Sequence, residues 1–270
     1  MSESLRKRVA TAAVLIVLLL VVLFWLPAVA TVVLLTLVVL MGAWEWSAFL
    51  KWRDPRARVA FVVLVGILLP VSWLISRTQA GLEALLGAAV LWWLIALAWI
   101  VAAPRRVRPW SAGLAGLLSL VPAWLALTRL RMDTRHGAQW VLFALLLVWM
   151  ADIGAYFCGR RFGRRRLAPA VSPGKTWEGA LGGLLASGIV AVAGGAWFRP
   201  PLGQFLGLCL AAVAFSIVGD LTESLLKRFA GMKDSGTLFP GHGGVMDRID
   251  SVTGAAPVLL LGLTFLGVLP

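Results

Sequence analysis

Residues 224–250 form the longest polar passage in the C-terminal half of the chain, and apolar runs enclose them on both sides. The passage places cations beside carboxylates, namely Lys227, Arg228, Lys233 and Arg248 beside Asp234, Asp247 and Asp250. Carboxylates bind hard divalent cations, and Lys and Arg neutralise phosphate oxygens that the metal ion does not reach. Three glycines, Gly241, Gly243 and Gly244, let the backbone approach a ligand closely. The passage is therefore typical of a site for a polyphosphate and a metal ion.

The polar side chains continue upstream along one face of a predicted helix. Asp220, Glu223, Ser224 and Lys227 are spaced i, i+3, i+4 and i+7. Asp220 directly follows an apolar run, where an unpaired carboxylate is costly, so it requires a cation nearby. A surface salt-bridge ladder is the alternative interpretation of this stripe, and the apolar setting of Asp220 argues against it.

A second candidate for phosphate binding is the segment 172–179, which reads Ser-Pro-Gly-Lys-Thr-Trp-Glu-Gly. Its Gly-Lys-Thr resembles the end of a P-loop, but the glycine four residues earlier and the preceding strand are missing. It is therefore not a Walker motif. We predict instead that Ser172, Lys175 and Thr176 form an anion cradle at the start of a helix.

Long apolar runs must position these residues. The chain of 270 residues is 60% hydrophobic and only 14% charged. Runs of about 20 apolar residues predict an all-α polytopic membrane protein with about nine transmembrane helices and no strands, because buried backbone must satisfy its own hydrogen bonds. The predicted spans are 9–26, 28–50, 59–76, 82–102, 110–128, 139–158, 176–197, 202–219 and 252–269. We predict a scaffold of N-terminal helices, 1–137, and a catalytic region, 138–270, with cytoplasmic loops 159–175 and 228–250.

The basic residues support this count and set the orientation. With nine spans, alternate connections share a side, and the N-terminal side holds twenty of the 25 Lys and Arg residues. Basic loops stay in the cytoplasm, so the N-terminus is predicted to be cytoplasmic and the C-terminus outside. The net charge of +13 is then explained by these loops and by anionic head groups, and not by nucleic acid.

A few polar residues lie outside the two candidate segments. Glu45, near the end of the second span, either extends towards the membrane surface or lines a substrate groove. Asp152 is predicted to face other protein or a wet cavity, and Tyr156 follows one turn later on the same face. His136 is predicted to be a solvated loop residue. The small residues Gly179, Gly182, Gly183 and Ala186 predict close helix packing.

The passage 224–250 resembles the signature of the phosphatidate cytidylyltransferase family, also called CDP-diacylglycerol synthases. That signature is Ser-x-apolar-Lys-Arg, four residues, Lys-Asp-x-small, two residues, apolar-Pro-x-His-Gly-Gly-apolar-x-Asp-Arg-apolar-Asp. The chain matches it at every fixed position, from Ser224 to Asp250. Residues 152–163 and 172–179 also resemble family segments, so the resemblance extends from about residue 149 to the end.

The resemblance implies transfer of a cytidylyl group from CTP to phosphatidate with Mg²⁺, in a homodimeric protein of the inner membrane whose site faces the cytoplasm. It implies that Asp220 and Asp247 bind the metal ion, with Asp250 as a third ligand, and leaves room for a second cation. Phosphate contacts are expected from Ser172, Lys175, Thr176, Ser224, Lys227, Arg228, Lys233 and Arg248. His242 is expected to donate to a phosphate, or else to be a structural loop residue.

Two alternatives remain open at this point. One is a related CTP-dependent transferase that acts on another lipid, because an apolar groove accepts many acyl chains. The other is an anion transporter, which should show paired repeats and a site at the membrane midplane. No internal repeat is visible, and the polar residues gather towards one membrane face.

Overall fold

The computed structural model describes residues 3–52, 54–104, 106–132, 136–238 and 243–269, with the backbone alone for residues 3–12. This part of the chain contains nine α-helices: α1 Glu3–Phe24, α2 Ala28–Trp46, α3 Pro55–Ile75, α4 Gln79–Ala102, α5 Pro109–Met132, α6 Gly137–Phe162, α7 Trp177–Phe198, α8 Leu202–Ala230 and α9 Met246–Phe265. A short 3-10 helix, Ser47–Leu50, extends α2. Strands β1 Arg166–Ala168 and β2 Ser172–Thr176 form an antiparallel hairpin between α6 and α7.

Eight of these helices, α2 to α9, are long and apolar enough to cross a membrane, by length and composition. In α1 the apolar part with described side chains runs only over Ala13–Phe24. An α-helix rises about 1.5 Å per residue, so about 20 residues are needed to cross the hydrocarbon core. The prediction of an all-helical multi-pass membrane protein is therefore confirmed at the level of its helices.

Three helix ends differ from the prediction. Helix α6 continues to Phe162, α8 continues to Ala230, and α9 already begins at Met246. An apolar run predicts only the part of a helix that lies in the hydrocarbon of the membrane. The helix itself can extend further, because its backbone hydrogen bonds also form in water. Helix α8 ends where Gly231 adopts a left-handed conformation, with a φ of 75°. The connection between α8 and α9 thus covers residues 231–245, and not the predicted 228–250.

The prediction of no strands was wrong for the connection between α6 and α7. The hairpin pairs Arg166 with Thr176 and Ala168 with Ser172. It lies outside the apolar runs, so the requirement that excludes open strands from hydrocarbon does not apply to it.

Small residues bring α6 and α7 together, as predicted. A side chain at Gly182 would overlap Cys158, and one at Gly183 would come within 2.7 Å of the Ala151 carbonyl oxygen. Gly179 approaches the Ala155 carbonyl in the same way. The two helix backbones are therefore in direct contact along this face.

Glycines also allow close contact between the backbones of α8 and α9. A side chain at Gly219 would overlap the Asp250 carbonyl, and one at Gly254 would overlap the Phe215 carbonyl. This contact brings Asp250 next to the turn of α8 that carries Asp220. Helix α9 also packs against α5 and α4, so the predicted N-terminal scaffold and C-terminal region share one core.

Candidate active site

A cavity of about 550 Å³ lies between α6, α7, α8 and the hairpin. Its polar lining comes from Asp152, Tyr156, Arg160, Arg166, Lys175 and Asp220. Alanine and glycine residues of α6 and α7, Ile217 of α8, and Leu167, Gly174 and Thr176 of the hairpin form the rest of the lining. The close packing of α6 on α7 therefore leaves an apolar surface beside a charged rim.

An ion pair between Lys175 and Asp220 crosses this cavity. Lys175 Nζ contacts Asp220 Oδ2, and both side chains are about a quarter exposed, at 27%. Ser224 Oγ donates a weak hydrogen bond to Asp220 Oδ1 at 3.4 Å. Lys175 of the hairpin is thus the cation that Asp220 requires, although it lies 45 positions earlier in the chain.

Local hydrogen bonds hold the hairpin against the start of α7. Thr176 is the N-cap of α7, and its Oγ1 accepts a bond of 3.1 Å from Gly179 N. The Glu178 carboxylate accepts bonds from Arg164 N at 3.0 Å and from Arg165 N at 3.2 Å. Lys175 directly precedes the N-cap of α7, so it lies at a helix start as predicted, although the strand β2 that carries it was not predicted. The sequence analysis also missed Glu178, whose role depends on a backbone turn that spacing does not reveal.

Lys227 forms a second ion-pair group on the face of α8 towards α9. Its Nζ donates to Glu223 Oε2 at 2.7 Å and to Asp247 Oδ1 at 2.6 Å. These three side chains are nearly buried, with exposures of 12% for Lys227, 1% for Glu223 and 9% for Asp247. Lys227 therefore neutralises two carboxylates that would otherwise repel each other inside the helix bundle.

Backbone donors complete the surroundings of Asp247. Its Oδ2 accepts bonds from Ser235 N at 2.9 Å, Ser235 Oγ at 2.9 Å and Gly244 N at 2.8 Å. Asp247 thereby ties the segment that follows α8 to the first turn of α9. Through Lys227, Asp247 also lies against α8, the helix that carries Asp220.

The two ion-pair groups are connected by electrostatic interactions. Asp152 interacts with Asp220, Lys175 and Arg248. Asp250 interacts with Asp220 and Glu223. These residues form a carboxylate cluster whose members influence one another's charge: Asp152 of α6, Asp220 and Glu223 of α8, and Asp247 and Asp250 in the first turns of α9.

Other predicted residues lie at the margin of this cluster. Arg228 ends α8 on its exposed side, Lys233 is exposed in the following segment, and Arg248 is exposed in the first turn of α9. Ser172 is half-buried on β2, opposite Ala168. His242 lies outside the described residues, so the role predicted for it stays a prediction.

The carboxylate cluster offers the oxygen ligands that Mg²⁺ prefers. Among the described residues no three acidic, His or Cys side chains converge on one point. Mg²⁺ nevertheless commonly binds to one or two carboxylates, with substrate phosphates and water completing its shell. Glu223 Oε1 is buried and, within the described part of the chain, accepts no hydrogen bond. The cluster thus carries negative charge that side-chain cations do not cover, and it fits a divalent ion.

Glu45 is a buried residue whose contacts the sequence did not reveal. It neither extends to the membrane surface nor lines a groove, since its carboxylate accepts bonds from Ser235 Oγ, Val245 N and Met246 N. The sequence carries no local signal for these contacts, because Glu45 and Ser235 are separated by 190 positions.

These features define a multi-pass membrane protein with a charged cavity and a carboxylate cluster between α6, α7, α8 and α9. Comparison with known proteins agrees with this class, because a model of the cytidylyltransferase family matches residues 6–266. The chain belongs to this family. It is 39% identical to a phosphatidate cytidylyltransferase of Haemophilus influenzae, over 94% of this chain and 96% of that protein. It is 42% identical to the enzyme of that name from Pseudomonas aeruginosa, over 94% and 95% of the two chains.

We predict that Lys227→Ala destabilises the protein strongly. The change leaves Glu223 and Asp247 nearly buried without their shared cation, and breaking a buried ion pair costs about 3–5 kcal/mol. Thermal unfolding of the purified protein in detergent measures the effect. The neighbouring Arg228→Ala is the matched control and should change stability by less than about 0.5 kcal/mol, because Arg228 is exposed. Equal melting temperatures for the two variants would contradict the prediction.

Proposed function

We infer that this chain transfers a cytidylyl group from CTP to phosphatidate and releases pyrophosphate, with CDP-diacylglycerol as the lipid product. The observation that carries this inference is the charged cavity between α6, α7, α8 and the hairpin, in a chain that aligns over nearly its full length with phosphatidate cytidylyltransferases. The reaction joins a water-soluble triphosphate to a lipid phosphate, so its site must lie where the membrane meets water.

The cavity has the chemistry that a lipid phosphate requires. Arg160, Arg166 and Lys175 supply positive charge at its rim, and Ile217 with the small residues of α6 and α7 supplies an apolar wall. An anionic head group can bind the rim while the acyl chains stay beside the apolar surfaces of the helices. We propose that Ser172, Lys175 and Thr176 contribute to this phosphate site, with Thr176 acting mainly through the start of α7.

In the reaction, an oxygen of the phosphatidate phosphate attacks the α-phosphorus of CTP. A new oxygen–phosphorus bond forms, and the bond to the β-phosphate oxygen breaks, so that pyrophosphate leaves. The attacking oxygen is already ionised near neutral pH and needs no strong general base. The protein therefore acts by positioning the two phosphates and neutralising their charge.

We propose that Lys227, Arg228, Lys233 and Arg248, with Ser224, hold the triphosphate and the departing pyrophosphate. Lys227 is fixed by Glu223 and Asp247, whereas Arg228, Lys233 and Arg248 are exposed and can approach a ligand from water. His242 is proposed to donate a hydrogen bond to a phosphate oxygen.

Asp220, Asp247 and Asp250 are the proposed ligands of Mg²⁺. Each carboxylate has about four lone-pair sites. Asp220 uses one oxygen for Lys175 and the other for Ser224, and Asp247 Oδ1 has Lys227 as its donor. Asp220 thus retains acceptor capacity for a metal ion. Asp247 Oδ2 also accepts from Ser235 N, Ser235 Oγ and Gly244 N, so a metal ion at Asp247 would replace one of its four donors. When bound, Mg²⁺ neutralises charge that develops on the transferred phosphoryl group.

The function predicts Mg²⁺-dependent conversion of labelled CTP into a lipid product by the purified protein. Phosphatidate should be the preferred acceptor in a panel that includes a polyprenyl phosphate and a lysophosphatidate, and one pyrophosphate should be released for each lipid formed. Asp220→Asn, which removes a charge from the cavity, is the control for a contaminating enzyme. Equal activity of the two preparations would indicate a contaminant. If the protein prefers the polyprenyl phosphate, that lipid and not phosphatidate is its substrate. If it does not turn over CTP, the proposed function is refuted.

The metal assignment predicts a changed dependence on Mg²⁺ concentration. Asp220→Asn and Asp247→Asn should each lower the rate at ordinary Mg²⁺ by at least about 100-fold, and the double variant should be little worse, because both act through one ion. Titration of Mg²⁺ should show a raised half-maximal concentration for each single variant. If Asp247→Asn lowers the rate without shifting that concentration, Asp247 acts only through Lys227 and Ser235.

The orientation is also a proposal. The connections α6–α7 and α8–α9 lie on one side of the helix bundle. The end of α2 lies on the same side, because Glu45 contacts Val245 at the start of α9. These connections carry many of the basic residues, which supports a cytoplasmic location, where CTP is made available. The homodimer implied by the resemblance stays a prediction.

In a background without Cys158 and Cys209, a cysteine introduced at the exposed Asp234 should therefore react with an impermeant maleimide only after cells are opened. A cysteine at Arg77, exposed in the connection between α3 and α4, is the matched control and should react in intact cells. Labelling of position 234 in intact cells would reverse the orientation.

A further inference from the structure

Glu45 lies in the last turn of α2, far in sequence from every residue of the candidate active site. Its side chain is 9% exposed, and both oxygens accept hydrogen bonds. Oε1 accepts from Val245 N at 3.0 Å, and Oε2 accepts from Met246 N at 2.8 Å and from Ser235 Oγ at 2.9 Å. These donors lie on both sides of residues 236–244, so one carboxylate joins the two ends of that glycine-rich segment.

The position of the carboxylate suits the start of α9. The first N–H groups of an α-helix have no partner within the helix, and a negative charge there interacts favourably with the helix dipole. Val245 is the N-cap of α9 and Met246 is its first residue, yet no side chain of the local sequence caps the helix. Glu45 performs this role from another helix.

The fit around Glu45 leaves no room for side chains on two glycines. A methyl group at Gly236 or at Gly244 would overlap the Glu45 carboxylate. Gly236 and Gly244 therefore pack tightly against the carboxylate, and its charge is held by protein donors and not by solvent.

Ser235 connects Glu45 to the active-site residues. Its Oγ lies 2.9 Å from Glu45 Oε2 and also 2.9 Å from Asp247 Oδ2. The single hydroxyl hydrogen can serve only one of these carboxylates at a time, and Asp247 N donates to the same Oγ at 3.3 Å. Asp247 in turn holds Lys227. A continuous series of contacts thus runs from α2 through Ser235 and Asp247 to α8.

The end of α2 is itself held in place. Trp46 Nε1 donates to the Ala112 carbonyl of α5 at 2.8 Å. Arg58 Nε donates to Ser47 Oγ at 2.8 Å, and its guanidinium lies over the Trp44 ring. Glu45 therefore projects from a rigid support, which is the condition for positioning other groups accurately.

We propose that Glu45 is a positioning residue for cytidylyl transfer: it holds Ser235, Val245 and Met246 in the arrangement that orients Asp247 and Lys227 towards the nucleotide phosphates. This inference rests on the proposed function. It also assigns an active-site role to α2, a helix of the predicted N-terminal scaffold.

The test compares Glu45→Gln with Glu83→Gln in the purified full-length protein. Glu83 lies on α4 and accepts a bond from Gln79 on the same helix, so it provides the same chemical change away from the site. In Glu45→Gln an amide group faces donors that need an acceptor. Because small misplacement of reacting groups can cost about 100-fold in rate, we expect kcat per folded protein to fall roughly 10- to 100-fold in Glu45→Gln. Glu83→Gln should retain the wild-type kcat and melting temperature.

A purely structural role would lower the melting temperature and the yield but leave kcat per folded protein unchanged, and that result would overturn the proposal. Hydrogen exchange provides a readout that does not depend on activity. Peptides that contain Val245 and Met246 should exchange faster in Glu45→Gln than in Glu83→Gln, because their N–H groups lose a charged acceptor. Unchanged exchange there would also contradict the proposal.

If Glu45→Gln does not fold, Ser235→Ala decides the question, because it removes only the hydroxyl that contacts both carboxylates. Its kcat should fall at a wild-type melting temperature, and a wild-type kcat would overturn the proposal. Where both variants fold, the double variant should be no slower than the slower single one, whereas additive losses would mean that Glu45 does not act through Ser235. Inactive wild-type protein would refute the proposed function itself, independently of Glu45.

Discussion

The contact of Lys227 with Glu223 and Asp247 is the interaction on which the arrangement of the active site depends. Isolated charges inside an apolar helix bundle are costly, and two adjacent carboxylates without a cation are more costly still. One ammonium group at 2.7 and 2.6 Å from the two carboxylates allows α8 and α9 to approach each other here. The close backbone contact at Gly219 and Gly254 then becomes possible a few turns away.

Helix α8 presents polar side chains to two different neighbours. Asp220 faces the cavity and Lys175 of the hairpin, whereas Glu223 and Lys227 face α9. Asp250 lies between the two groups, and its carboxyl group is repelled by both Asp220 and Glu223. A reaction between a lipid phosphate and a nucleotide needs two adjacent phosphate sites. The charged groups on the two sides of α8 lie close enough to be consistent with such a pair.

The fold limits which parts of this site can adapt. The cavity wall is built from the small residues of α6 and α7, whose backbones already touch, so larger side chains there would separate the helices. The hairpin is held by Glu178 and Thr176 through backbone hydrogen bonds. By contrast, Arg228, Lys233 and Arg248 are exposed and can move towards a charged ligand.

The sequence alone determined the eight long apolar helices α2 to α9 and the small-residue contact of α7, whereas the polar stripe predicted as one face of α8 divides between two neighbours. These properties are local, since they follow from apolar length and helical period within one segment. The family signature also identified the reaction, because its fixed positions lie in one uninterrupted passage.

Only the tertiary structure decided which charges meet. The partner of Asp220 is Lys175 on a hairpin that hydropathy did not predict, and Asp247 binds Lys227 and Ser235. The role of Glu45 depends on the end of α2 meeting the start of α9. Spacing along the chain contains no information about such pairs, because the partner of a buried carboxylate is set by how separate helices pack and which donors that packing leaves without an acceptor.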